Sequence, residues 1–467
     1  MVEALFYLYF LATKQRLQAM KKPNHPMTRD QRTQLYWQCL RAIDDGESWC
    51  VGWFYYSHDI SHPTFDQIQR ENVTAWFSWA FWQDHVDHVK SNSEWAEELE
   101  WMVFTAEKHL NIAFAPGYNP SLQCIRLNLD PVQAVHRPLL LYIGIYLGTI
   151  IFNNIFLQWW WQFQVYGNHH IVWGGILHNL HQCLISLVTC QQQLTSSSIS
   201  TPPKDQHIAY WYRASPVRHD NYHNSQDNSR TPLVFIHGIG AGLMGYAEFL
   251  YHLVGQDRPI FFVELPHVSM HMVDNVPEAQ DMVKDIKHML QDHGYEHAVF
   301  VSHSLGTAVT SWMMTYAPTF VAGTVLIDPI CFLLHYPQVC FNFIHRMPKR
   351  IFEYVTFYGA SRELYISHYI SRHFQWFQCI YFADLMSNPR QQTNPLNNAT
   401  VFLSEADGIV GSPMVYKYLT RCGVDCHLMP KLEHAGFLFN WTWRKRILEQ
   451  IECVARNADD EGIDLRS

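Results

Sequence analysis

VFVSHSLG, residues 299–306, runs a short apolar stretch directly into a Ser-x-Ser-x-Gly turn, and a helical pattern follows it through Tyr316. Valine and phenylalanine suit a strand buried on both faces. Ser304 stands between two small neighbours, Ser302 and Gly306, as a nucleophile on a sharp strand-to-helix turn requires. The backbone of such a turn is strained, and bulk on either side would hold strand and helix apart. Working outward, the same alternation of a short apolar run and a helix-length segment recurs. The runs lie at residues 207–212, 233–236, 260–263, 298–301, 324–327, 401–403 and 426–429. This rhythm predicts an α/β fold with a mostly parallel central sheet covered by helices.

Three further segments supply what a nucleophilic serine needs. PLVFIHGIGAG, residues 232–242, is a strand ending in a glycine-rich turn. Acyl transfer passes through an oxyanion that requires two N–H donors, and a glycine turn presents backbone amides without obstruction. The candidates are the amides of Ile239 and of Leu305, the residue after the serine. The turn lacks the Lys-Ser/Thr ending of a P-loop and the spacing of a dinucleotide fingerprint. VFLSEADGIV, residues 401–410, delivers Asp407 from a strand to a loop, and His434 follows in LEHAGF. Nucleophile, acid and base then occur in the chain order Ser304, Asp407, His434. In that scheme His434 takes the proton of Ser304 and Asp407 fixes its tautomer. Asp407 is the favoured acid, with Asp328 in VLIDP as its rival and Glu405 behind both.

On these four motifs, residues 204–452 resemble the α/β-hydrolase superfamily. HGIGAG is similar to its oxyanion turn, SHSLG to its nucleophile elbow, SEADGIV to its acid loop and HAGF to its histidine loop. Ser302 stands where the family has glycine, and ELPHVS, residues 264–269, lacks the glycines usual in the corresponding segment. The resemblance implies an acyl-enzyme mechanism that needs no metal and no cofactor. It also implies that residues 330–400, rich in Phe, Tyr, His and Trp, form a helical cap insertion with an apolar pocket. The amino-terminal stretches RENVTAWFSWAFW, residues 70–82, and RLNLDPVQAVHRPLLLY, residues 126–142, resemble those of membrane-anchored fungal and protist hydrolases of unassigned substrate.

The chain has 467 residues, enough for two or three domains, and a net charge of −9 that argues against nucleic-acid binding. Apolar residues make up 48% and charged residues only 16%, which excludes disorder and favours contact with a membrane. Residues 1–137 read as mainly helical, including helices at 72–82 and at 93–109 with Ser93 as cap. Within residues 138–203 there is no Asp, Glu, Lys or Arg. Residues 138–190 read as a membrane segment or hairpin. Its first leg, 139–157, ends in Trp159, Trp160 and Trp161, and a buried helix is the alternative; its second leg is 171–188. Residues 191–203 form a polar linker, and 204–467 are the hydrolase-like domain. Eleven scattered cysteines suggest reduced thiols and an intracellular membrane rather than secretion. Two histidine pairs, His85 with His88 beside Asp84 and His267 with His271, lack a third metal ligand and read as packing or surface residues.

These readings converge on a serine hydrolase acting on a lipid-like or long-chain acyl ester at a membrane. An acyltransferase using the same three residues and a non-catalytic lipid-binding module are the competing classes.

Overall fold

A computed structural model describes residues 1–21, 25–168, 208–215, 230–384 and 394–464. The expected second apolar leg at 171–188, the linker at 191–203 and residues 220–229 lie outside the described residues. The chain divides into two compact units. One comprises Met1–His136, Leu333–Phe382 and Gly408–Gly411, and the other Arg137–Phe332, Ala383–Asp407 and Ser412–Ser467.

The second unit is built on eight strands: β1 (Gln164–Gly167), β2 (Ala209–Arg213), β3 (Leu233–Ile236), β4 (Ile260–Glu264), β5 (Ala298–His303), β6 (Val321–Ile327), β7 (Ala399–Ser404) and β8 (Asp425–Met429). They lie in the order β8, β7, β6, β5, β3, β4, β2, β1. From β8 to β4 every pair is parallel, whereas β2 runs antiparallel to β4 and β1 antiparallel to β2. The parallel strands other than the edge strand β8 are buried on both faces, which is why they read as apolar runs.

Helices cover these faces: α1 (Leu139–Trp160), α2 (Ala247–Val254), α3 (Ala279–Asp292), α4 (Gly306–Tyr316), α5 (Ser412–Arg421) and α6 (Trp441–Asp464). Phe235, Phe262, Val301, Ile327 and Phe402 form one cluster with Phe249 and Leu250 of α2 and Ile447 and Ile451 of α6. Each fully buried aromatic or aliphatic side chain of this kind contributes about 1.5–3 kcal/mol. α4 packs against β3, β5 and β6, and α3 against α4.

The first unit is helical, with one two-stranded ribbon of Phe54–Tyr56 and Leu122–Cys124. The helix Arg29–Arg41 opens on a capping box, Thr28 Oγ1 accepting from Gln31 N–H while Gln31 Oε1 accepts from Thr28 N–H. Its Arg32 makes a buried two-point ion pair with Glu98, at 3.0 and 2.6 Å, on the helix Ser93–Leu110. The residue capping that helix is Asn92, whose Oδ1 accepts from Trp95 N–H, and not Ser93 as expected.

Two boundaries differ from those drawn from composition. Residues 138–167 do not stand apart from the hydrolase-like part, because β1 is its edge strand and Phe152, Leu157, Trp161 and Phe163 lie in its core cluster. Residues 333–382 group with the amino-terminal residues and not with the sheet that precedes and follows them. Their aromatic and basic side chains explain this. Trp376 Nε1 donates to Ala80 O at 3.0 Å, Tyr365 and Tyr9 share a hydroxyl bond of 2.7 Å, and Arg372 reaches the carbonyls of Gln18, Ala19 and Asp130 at 3.0–3.1 Å. The insertion's aromatics are spent largely on the packing of that unit.

Candidate active site

The turn after β5 is folded as its sequence demands. Ser304 adopts φ +50°, a left-handed backbone that side chains tolerate only where surroundings enforce it. Here its N–H donates to Ile327 O at the end of β6 (3.0 Å), and its carbonyl accepts from Thr307 N–H (3.0 Å) and Thr307 Oγ1 (2.6 Å). A Cβ on Gly306 would lie 2.4 Å from Ile236 O, so glycine alone lets α4 approach β3 this closely. Ser302, in place of the family's glycine, is fully buried and its Oγ accepts from Thr310 Oγ1 at 2.9 Å. The departure is accommodated by a hydrogen bond.

Two loops from strands beyond β6 meet this elbow. His434 follows β8 and Asp407 follows β7, and the loops are tied together by Glu405 N–H to Met429 O (3.0 Å) and Ala406 N–H to Leu432 O (2.9 Å). The His434 ring bridges the set, with Nε2 2.8 Å from Ser304 Oγ and Nδ1 2.7 Å from Asp407 Oδ2. A carboxylate only accepts, so with neutral His434 the Nδ1–H donates to Asp407 and Nε2 is left to accept the Ser304 proton. The Asp407 side chain is wholly shielded from solvent.

The rival acids are placed elsewhere. Glu405 is exposed and its Oε2 accepts from Lys431 N–H (2.9 Å). Asp328, itself at φ +44° at the end of β6, accepts from Ser404 N–H (2.7 Å), Ser404 Oγ (3.0 Å) and Ala435 N–H (3.0 Å). It thus pins the residue after His434, which also has a left-handed backbone, φ +62°. Burial alone would push His434 toward neutrality, but Asp407 and then Asp328 outweigh it and raise its pKa to about 9.

The glycine-rich turn lies directly beside the elbow, since a Cβ on Gly238 would sit 2.9 Å from Ser304 Cβ. Neither the Ile239 nor the Leu305 amide donates to a protein acceptor among the described residues, which leaves both available. The turn is held from behind by groups that the sequence did not single out. Gly238 N–H donates to Tyr246 Oη (2.9 Å), and Tyr246 Oη lies 2.7 Å from His303 Nδ1. His303 Nε2 lies 3.8 Å from Asp328. His237 donates from Nδ1 to Gly238 O (2.8 Å) and accepts at Nε2 from Leu265 N–H (3.0 Å), and burial lowers its pKa to about 4. It is a fixed neutral strut. Of these, only Tyr246 falls outside the motifs quoted from the sequence.

Among the described residues one His/Cys/Asp/Glu group brings three ligand atoms within 4.8 Å, namely Asp328, Asp407 and His434. Both nitrogens of His434 are already hydrogen-bonded, which suits proton transfer better than a cation. His88 pairs with Asp84 at 2.7 Å on the surface, while His267 and His271 are buried, so neither expected pair acquires a third ligand among the described residues. No disulfide joins the nine described cysteines.

Residues 231–449 match a family profile described as alpha/beta hydrolase fold. No curated protein matches the chain in sequence. Solved structures similar to it include an esterase from Thermogutta terrifontis (11% identity, TM-score 0.37, 56% of this chain and 100% of the other). A carboxylesterase from Bacillus subtilis (10%, 0.35, 58% and 97%) and a carboxylesterase structure from Nitrososphaera gargenis (12%, 0.35, 56% and 98%) are others. At this level of likeness nothing about substrate carries over. The matched residues contain the elbow, the glycine-rich turn and the loops of Asp407 and His434, so it is this region of the chain that matches the alpha/beta hydrolase fold.

Proposed function

We propose that the chain is a serine hydrolase that cleaves an ester, lipid-like or with a long acyl chain, at a membrane. His434 removes the proton of Ser304 as Oγ attacks the ester carbonyl. Asp407 holds the ring in the required tautomer and stabilises the imidazolium. The amides of Ile239 and Leu305 stabilise the oxyanion, each such donor being worth about 3–4 kcal/mol in the transition state. His434 then returns the proton to the departing alcohol, and water, deprotonated in turn by His434, releases the acyl group from Ser304. The observation that carries this reading is the unbroken hydrogen-bond chain from Asp407 through His434 to Ser304 Oγ. A binding module would have no need of it. The lipid character rests on one helix, Leu139–Trp160, that is long and apolar enough to cross a membrane.

Labelling by a fluorophosphonate probe tests the chemistry. Wild type labels and Ser304→Ala and His434→Ala do not; a folded wild type that resists the probe overturns the reading. Product analysis with added alcohol separates hydrolysis from acyl transfer.

A further inference from the structure

The helix α1 has two unlike faces. Tyr142, Thr149, Phe152, Asn153 and Leu157 are buried, and Phe152 and Leu157 belong to the core cluster of the sheet. A Cβ on Gly148 would sit 2.8 Å from Met244 Sδ, and Thr149 Oγ1 lies 3.3 Å from His271 Nε2. The opposite face carries Leu140, Ile143, Leu147, Ile151, Ile155 and Trp159, between 42% and 75% exposed. Their spacing of three or four residues makes one continuous apolar stripe along the helix.

A helix that crosses a bilayer is surrounded by hydrocarbon over about 30 Å. α1 cannot be so surrounded in this fold. Its carboxyl-terminal half is packed on the core, and Trp161 N–H and Phe163 N–H bond back to Phe156 O and Leu157 O at 2.8 Å before the chain enters β1. We infer that α1 lies in the plane of a membrane and presents its stripe to a single leaflet. A lipid surface is the occupant that the charges favour, because no Asp, Glu, Lys or Arg occurs within α1, so the helix offers a protein partner no ion pair of its own. The exposed Trp159 and Trp160 close one end, and indole rings settle at the boundary between headgroups and hydrocarbon. With no basic residue within α1 to attract headgroups, docking is driven by apolar burial and depends little on salt or on lipid charge. α1 rests on Met244, which follows the glycine-rich turn, so the leaflet lies about one helix diameter, ~10 Å, from the element behind that turn. The inference rests on the membrane part of the reading above and not on the chemistry of Ser304.

The test places an environment-sensitive fluorophore on single cysteines at Leu140, Leu147 and Ile155 of the full chain and adds neutral phosphatidylcholine vesicles carrying lipid quenchers at two depths. All three positions shift to the blue on vesicle addition and report the same shallow depth, unchanged in high salt. A deepest value at Leu147 with shallow ends means a spanning helix and overturns the inference. A blue emission already present without vesicles means that the chain or a second copy covers the stripe, and overturns it too. The double variant Leu147→Asp/Ile151→Asp loses flotation with vesicles while its circular dichroism and melting remain those of wild type. Fluorophosphonate labelling of the same samples reports on Ser304 separately, so docking and catalysis can fail independently.

Discussion

Residues 299–316 and the helix α1 are both uncharged, both apolar and of similar length, yet they end in opposite environments. From Val299 to Met314 every residue of the elbow segment is buried, whereas α1 buries five of its residues and leaves a stripe of Leu, Ile and Trp in the open. The difference lies in side-chain size. Ser302, Gly306, Thr307, Ala308, Thr310 and Ser311 are small, so strand and helix can be approached from every side and each hydroxyl finds a hydrogen-bond partner. α1 carries large side chains along the stripe from Leu140 to Trp159 and packs only its other face against protein. Absence of charge is common to both segments, and residue volume decides how much of each the protein itself buries.

The comparison can be broken at several points. The largest effect is expected for His434→Ala, which removes the proposed base and lowers kcat/KM by roughly 10⁴–10⁶-fold in an ester-hydrolysis assay. Next comes a matched pair of aspartates. Val309→Asp on α4, at 3% exposure, buries a charge and destabilises by about 4 kcal/mol or more, whereas Ile151→Asp on α1, at 52%, stays within about 0.5 kcal/mol. Urea denaturation without vesicles measures both, and equal losses would remove the distinction drawn here.

A smaller effect concerns pH. The reaction needs neutral His434, so activity rises as pH increases through its pKa of about 9, and Asp328→Asn moves that limb to lower pH by removing one of the two carboxylates that hold the proton. A limb that does not move would mean that Asp328 serves the loop only. The smallest expected effect is on stability. The folded chain binds the His434 proton more tightly than the unfolded chain, whose histidine has the ordinary value of 6.5. The resulting stabilisation is complete below about pH 6.5 and is lost as pH rises through about 9, a slope that Asp407→Asn flattens in melts across that range.

How much of this could be read from the chain depends on whether the reason for a residue is local. The other seven strands of the sheet besides Gln164–Gly167, the elbow and the glycine-rich turn were legible, because burial and close backbone approach leave apolar runs and small residues at fixed positions. The choice of Asp407 over Asp328 was open, since both follow strands of the same kind and only the folded loops show which one faces Nδ1 of His434. The strand Gln164–Gly167 was not legible. It is an edge strand of four residues whose identity comes from its pairing with Ala209–Arg213, far along the chain. Tyr246 was equally hidden, because its role is a hydrogen bond to a backbone amide eight residues earlier and to His303 in another motif.

The composition of the helical unit from three separate pieces of chain has a consequence for biosynthesis. Residues 1–136 leave the ribosome well before 333–382, and at about 5–20 residues per second the interval is roughly 10–40 s. Throughout that time the indole of Trp49 lacks the carbonyl of His335, and Ala80 lacks Trp376. The nascent amino-terminal segment therefore presents a tryptophan-rich surface to the cell until the sheet of the other unit is largely synthesised, and chaperone occupancy during translation should be concentrated there.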